Sequence, residues 1–168
     1  MTAQSRILFA IDDSAASWKA VDYVADLAGT KPEAGIYLFH ATASMPPDLQ
    51  EFRGAEDAGE ETELEDQLEM KQDRWKERAE KAAEPVLGKA RSILQRAGVA
   101  SEQIESRAAV LLHREDLIDE ILRTAREFDC NTIVVGRKSF PWLKELLVDH
   151  LGEKVNAKAE RMTVQIVD

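Results

Sequence analysis

Two stretches of this chain carry residues whose types and spacing could do chemistry. The first is Asp12, Asp13 and Ser14, directly after the apolar run Ile7 to Ile11. Paired carboxylates at a strand end can hold magnesium beside a phosphoacceptor aspartate. That chemistry needs a further aspartate ending the third strand, where this chain has Leu112, His113, Arg114 and Glu115. A helix cap fits better, with Asp13 or Ser14 accepting from the free amides of the next helix. The second stretch is NTIVVGRKSFPWLKELLVDHLGEKV, Asn131 to Val155. It predicts a buried strand from Thr132 to Val135, a glycine turn at Gly136, a loop and an amphipathic helix. In open α/β sheets, ligands sit outside the carboxyl ends of strands, often on the amino end of the following helix. A small-molecule site is therefore expected here, although the turn has a single glycine and its later positions carry side chains.

Other candidates are weaker. His150 and Glu153 stand one helical turn apart and could share a metal, but no second histidine accompanies them, so a surface pair is expected. His40 lies at a strand end and His113 in a turn, each without a partner in sequence. Cys130 precedes a buried strand and is expected to be a packed thiol rather than a redox sensor. The tryptophans occupy different elements and form no stacking platform for bases. Trp142, in the loop after Gly136, could cover the pocket mouth or a partner surface. No nucleophile elbow, P-loop or zinc-ligand spacing is present.

Composition sets the bounds on these sites. With 168 residues, a single domain spanning 1–168 is expected. The hydrophobic fraction of 44% is enough for a core. A net charge of −10 argues against nucleic acid or an anionic membrane as partner. The lone cysteine rules out an internal disulfide and fits a reducing compartment. No apolar run approaches a membrane span, and MTAQSRILFAIDD lacks a basic-then-apolar signal layout, so a cytoplasmic location is expected.

The elements that must position the sites alternate. Ile7 to Ile11 is a strand buried on both faces. Trp18, Val21, Val24 or Ala25, and Ala28 then give a helix one apolar face, ended by Gly29 and Pro32. Gly35 to Ala41, GIYLFHA, is a second buried strand, so the opening favours a right-handed parallel crossover. Ser44 to about Asp73 breaks the pattern: Met45, Pro46 and Pro47 start a loop, and an acidic run with few apolar anchors follows. A solvated loop with the exposed first turns of a helix is expected there, rather than an interaction tail or lid. Trp75 to Ala97 predicts a helix kinked at Pro85 and closed by Gly98. Ile104 to Leu112 is a third strand. Leu117, Ile118, Ile121, Leu122, Ala125 and Phe128 mark the next helix, Leu146, Leu147, Leu151 and Val155 another, and Thr163 to Val167 a last strand. Together these predict an α/β fold with a doubly wound parallel sheet.

Four stretches resemble the universal stress protein family. ILFAIDDSAASWKAVDYVADLA resembles the opening of its domain, GIYLFHA its second strand, and NTIVVGRKSFPWLKELLVDHLGEKV with MTVQIVD its closing signature and terminal strand. The resemblance covers nearly the whole chain and is least over 44–73, an insertion of loop and helix extension. It implies a five-stranded parallel sheet of the adenine nucleotide alpha hydrolase-like, Rossmann-like type, a three-layer sandwich that is usually dimeric. One branch of the family holds ATP on a turn of glycine, two residues, glycine, nine residues, glycine, then serine or threonine. Gly136 keeps the first glycine, while Ser139, Asp149 and His150 stand at the other positions, a degenerate form of the motif. Asp12 matches the aspartate that lies near the adenosine. The resemblance thus leaves a residual pocket of Ala10, Asp12, Ala41, Gly136, Arg137, Lys138, Ser139, Asp149 and His150, with Arg137 and Lys138 offering charge where glycine amides are missing. From this we expect a non-catalytic stress-response protein that lacks a cofactor and does not bind ATP tightly, with a nucleotide-responsive switch that binds ATP or AMP weakly and hydrolyses ATP at most weakly as the alternative. Expected partners are a second copy, paired through the edge strand Thr163, Val164, Gln165, Ile166 and Val167, and an unknown protein.

Overall fold

The computed structural model describes residues 5–42, 44–50, 58–111, 113, 116–136 and 163–167. Its centre is β1 (Arg6–Ala10), in which Ile7 to Ala10 are fully buried. A strand covered on both faces can be apolar throughout, which is why this run does not alternate. On one side β1 pairs in parallel with β2 (Gly35–Ala41), setting Ala10 against Phe39, and β2 pairs with β3 (Ile104–Ala109). On the other side β1 pairs with β4 (Thr132–Gly136), setting Ala10 against Val135, and β4 pairs with β5 (Thr163–Val167). The order β3-β2-β1-β4-β5, parallel throughout, is the expected five-stranded sheet.

Helices cover both faces. α1 (Ala15–Thr30) and α3 (Ala58–Arg96) pack over Ile7, Phe9, Ile11, Ile36 and Leu38 through Val21, Val24, Ala90 and Leu94. α4 (Asp116–Glu127) covers Leu8, Ala10, Tyr37 and Phe39 from the opposite face through Leu117, Ile118, Ile121 and Leu122. The result is a doubly wound three-layer sandwich. α2 (Pro47–Gln50) is a single short turn.

Two helix ends show why the chain stops where it does. Gly98, at φ 99°, closes α3 with Val99 N–H donating to the Leu94 carbonyl and Gly98 N–H to that of Gln95. This is the left-handed terminating pattern that glycine favours. α4 ends in the same way at Asp129, φ 52°, with Cys130 N–H on the Ala125 carbonyl. An aspartate tolerates this conformation better than most side chains, so no glycine marks the boundary.

Two boundaries differ from expectation. The helix expected from Trp75 begins at Ala58 and spans 39 residues, so the exposed first turns of helix expected within 44–73 take up all of 58–73. Glutamate, leucine, glutamine, methionine and lysine are good helix formers, and Glu60 and Glu61 in the first turn complement the helix dipole. Pro85 lies inside α3, as expected. The third strand ends at Ala109 and not at Leu112, because the chain beyond it bonds a loop: Thr42 N–H donates to Ala109 O and Met45 N–H to Leu111 O. The predicted helix through Leu146 to Val155 lies outside the described residues.

Candidate functional site

The strand order reverses between β1 and β4. From β1 the chain winds outward through β2 to β3, then returns to β4 on the other side. At such a switch point the two connections diverge and leave a crevice beyond the carboxyl ends. Asp12 follows β1 at this point and Gly136 ends β4 beside it, so the topology brings together two residues far apart in sequence.

The Asp12 side is tightly built. Its Oδ1 accepts from the Ser14 amide at 2.9 Å and from the Ser17 hydroxyl at 2.7 Å. The Asp12 amide donates back to Ser17 Oγ at 3.0 Å. Ser14 is the N-cap of α1, its hydroxyl accepting from the Ser17 amide at 3.2 Å. Of the two candidate caps, Ser14 therefore fills the role. Asp13 instead accepts from Trp18 Nε1 at 3.0 Å, and Trp18 packs its ring under Lys89 Nζ at 3.8 Å to the centroid. The acid pair is thus divided between a turn and an indole. Ser17, fully buried, was not evident from sequence as part of this site. Its only signal is a serine five residues after Asp12, in phase with the cap.

Beside Asp12, His40 Nδ1 lies 2.8 Å from the Ile11 carbonyl. A carbonyl only accepts, so Nδ1 carries the proton and Nε2 is left as the acceptor of the neutral ring. His40 thus has a partner that its sequence neighbourhood does not reveal. Thr42 donates from Oγ1 to Ala109 O at 3.1 Å. On the α3 side of these residues is a cleft of about 330 Å³, lined by His40, Thr42, Trp75, Arg78, Ala79 and Ala82. Trp75 and Arg78 had no place in the expected pocket. They line this separate cleft because α3 passes the end of β2, and periodicity alone cannot show a crossing.

Ala10 and Ala41, expected to line the pocket, are both buried in the core cluster under α4. Gly136 is buried at the end of β4, paired with Val167. Arg137, Lys138, Ser139, Trp142, Asp149, His150 and Glu153 lie outside the described residues. His113 is exposed, its amide donating to Asp116 Oδ2 at 3.1 Å. At the opposite end of the sheet, Cys130 is buried, and that burial pushes its thiol up to about 11. Burial likewise raises Tyr37, whose ring stacks on Phe128 at 4.1 Å between centroids. Among the described residues no group of histidine, cysteine and acidic side chains could hold a metal ion, and no helix is long and apolar enough to cross a membrane.

β5 is an edge of the sheet, as expected, and Ile166 on it is 44% exposed. Gln165 is tied back to the body by the Tyr23 hydroxyl, which donates to its Oε1.

A parallel sheet of this order, with Asp12 held in the turn after β1 and a glycine ending β4, is a Rossmann-like α/β domain. The family model of the universal stress proteins matches residues 4–164, and the chain belongs to that family. Solved structures share the fold at low identity. A universal stress protein in complex with cAMP is 18% identical, with a TM-score of 0.57 over 99% of this chain and 98% of that one. One from Archaeoglobus fulgidus in complex with dAMP is 18% identical, with a TM-score of 0.52 over the full length of both chains. A family member from Burkholderia pseudomallei is 21% identical, with a TM-score of 0.53 over 99% and 97%. No curated protein matches the chain.

Proposed function

We propose that this chain is one universal stress protein domain that works in the cytoplasm through a homodimer and protein partners. In this proposal it catalyses no reaction and does not hold ATP tightly. The observation that carries the proposal is the engagement of Asp12. Its Oδ1 already takes two donors, from Ser14 and Ser17, so this oxygen serves the entry of α1. The sequence beyond Gly136 supports it. Phosphate cradling needs backbone amides that approach without a β-carbon in the way. In the family motif Ser139 and Asp149 stand at glycine positions, so the sequence supplies a side chain at one and a carboxylate at the other. The exposed edge at β5 supports the dimer, since an open edge invites pairing.

A weakly nucleotide-responsive switch is the second reading. The crevice at the switch point favours it, as do the relatives solved with cAMP and dAMP. Nucleotide carried through purification, read from the absorbance ratio and by mass spectrometry, separates the two. The first predicts none, and stoichiometric nucleotide would overturn it. Light scattering at tens of micromolar protein, on the order of usual conditions for a weak interface, tests the dimer. A monomer contradicts it, and so does a dimer left unchanged by Ile166→Lys.

A further inference from the structure

We propose that the cleft between the end of β2 and α3 binds a small anion carried on a flat apolar ring. The cleft lies at the small end of the range of ligand sites. Ala79 and Ala82 give it an apolar wall, and the half-buried Trp75 gives it an aromatic face. The Arg78 guanidinium is exposed at the mouth. Among the described residues Arg78 makes no ion pair, whereas Arg107 and Arg123 share Glu120 and Glu127. Trp75 likewise donates no hydrogen bond among them.

Charge narrows the ligand class. A chain of net charge −10 repels anions over most of its surface. A guanidinium with no ion pair among the described residues, on an apolar cleft, reverses that locally, and its planar fork fits a carboxylate or phosphate with two parallel hydrogen bonds. A ring body would stack on Trp75 between Ala79 and Ala82. His40 stands across from it, fixed by the Ile11 carbonyl through Nδ1. The head group and the ring are thus recognised by different residues, and each can be removed separately.

The test is calorimetric titration of the full chain with phenyl phosphate and indole-3-acetate, with inorganic phosphate and indole as the separate halves. The two ring anions should saturate with dissociation constants below about 1 mM, a plausible strength for ligands of this size, and each half should bind far more weakly. A preference between the two identifies the head group as phosphate or carboxylate. Arg78→Gln should weaken binding by about tenfold or more, as for loss of a charge-assisted pair. Ala82→Phe fills the cleft from an exposed position and should abolish binding while leaving the fold intact. Absence of saturation up to about 10 mM, roughly tenfold above that range, overturns the proposal, as does binding that survives both variants. ATP titrated against Asp12→Asn reports the crevice separately. Tight ATP binding that depends on Asp12 and not on Arg78 would sink the function proposed above and leave this site standing.

Discussion

α3 is one helix with two different halves. From Ala83 to Leu94 it sits on the sheet, with Ala83, Ala90 and Leu94 fully buried. From Gly59 to Asp73 every residue except Leu68 and Gln72 is exposed. At 1.5 Å per residue the helix is about 58 Å long, whereas strands of five to seven residues reach only about 17 to 24 Å. One half must therefore extend past the sheet. Packing sets the helical state of the second half. In the first half the residue types do, with Glu60, Glu61, Glu63, Glu65, Asp66, Glu69 and Asp73 against Lys71 alone. Helix propensity and burial are separate causes, and here they act on separate parts of one element.

Leu94→Ala should show the largest effect, about 2 to 5 kcal/mol lost in chemical denaturation, because it opens a cavity among fully buried neighbours. A loss below about 1 kcal/mol, the usual surface scale, would mean that α3 is less firmly docked than its burial indicates.

Cys130 extends the contrast to chemistry, since it sits in the buried cluster under α4. Its thiol is raised from 9.0 to about 11, with burial as the main cause. The folded state holds this proton more tightly than the unfolded chain does. The stability it contributes is complete below about pH 9 and should fade as pH rises to about 11. Native protein should resist a thiol reagent at pH 8 and react once unfolded. Equal rates in both states would show that the thiol is accessible.

Ser17→Ala should cost about 1 to 2 kcal/mol by removing a buried hydroxyl that both donates to and accepts from Asp12. Thermal unfolding checks this, and a neutral result would mean that the turn is held by the Ser14 cap alone. Leu64→Ala, on the open half of α3 at 43% exposure, should change stability by less than about 0.5 kcal/mol. Amide exchange should follow the same division, faster through 59–73 than through 83–94. Equal protection would refute the contrast between the halves.

Much of the fold was legible because the apolar runs of β1, β2 and β4 and the periodic face of α4 are local signals with few alternatives. Two boundaries were misread for physical reasons. The first half of α3 lacks an apolar face, so periodicity could not find it although propensity could. The expected end of β3 continued to Leu112 because Leu111 is buried, yet its backbone bonds a loop. Of the candidate site, Asp12 and Gly136 were visible as residues ending strands. Ser17 was not, since its bonds to Asp12 exist only once the turn closes, and His40, Trp75 and Arg78 were not, since they meet only at the cleft between the end of β2 and α3.

The central claim is that the crevice beyond β1 and β4 is not a tight ATP site, and calorimetric titration of ATP with and without magnesium tests it most directly. The account predicts a dissociation constant weaker than about 10 μM, equivalent to roughly −7 kcal/mol. Ser139→Gly, Asp149→Gly and His150→Ser combined should raise the affinity. Binding by the unaltered chain tighter than that value would contradict the account.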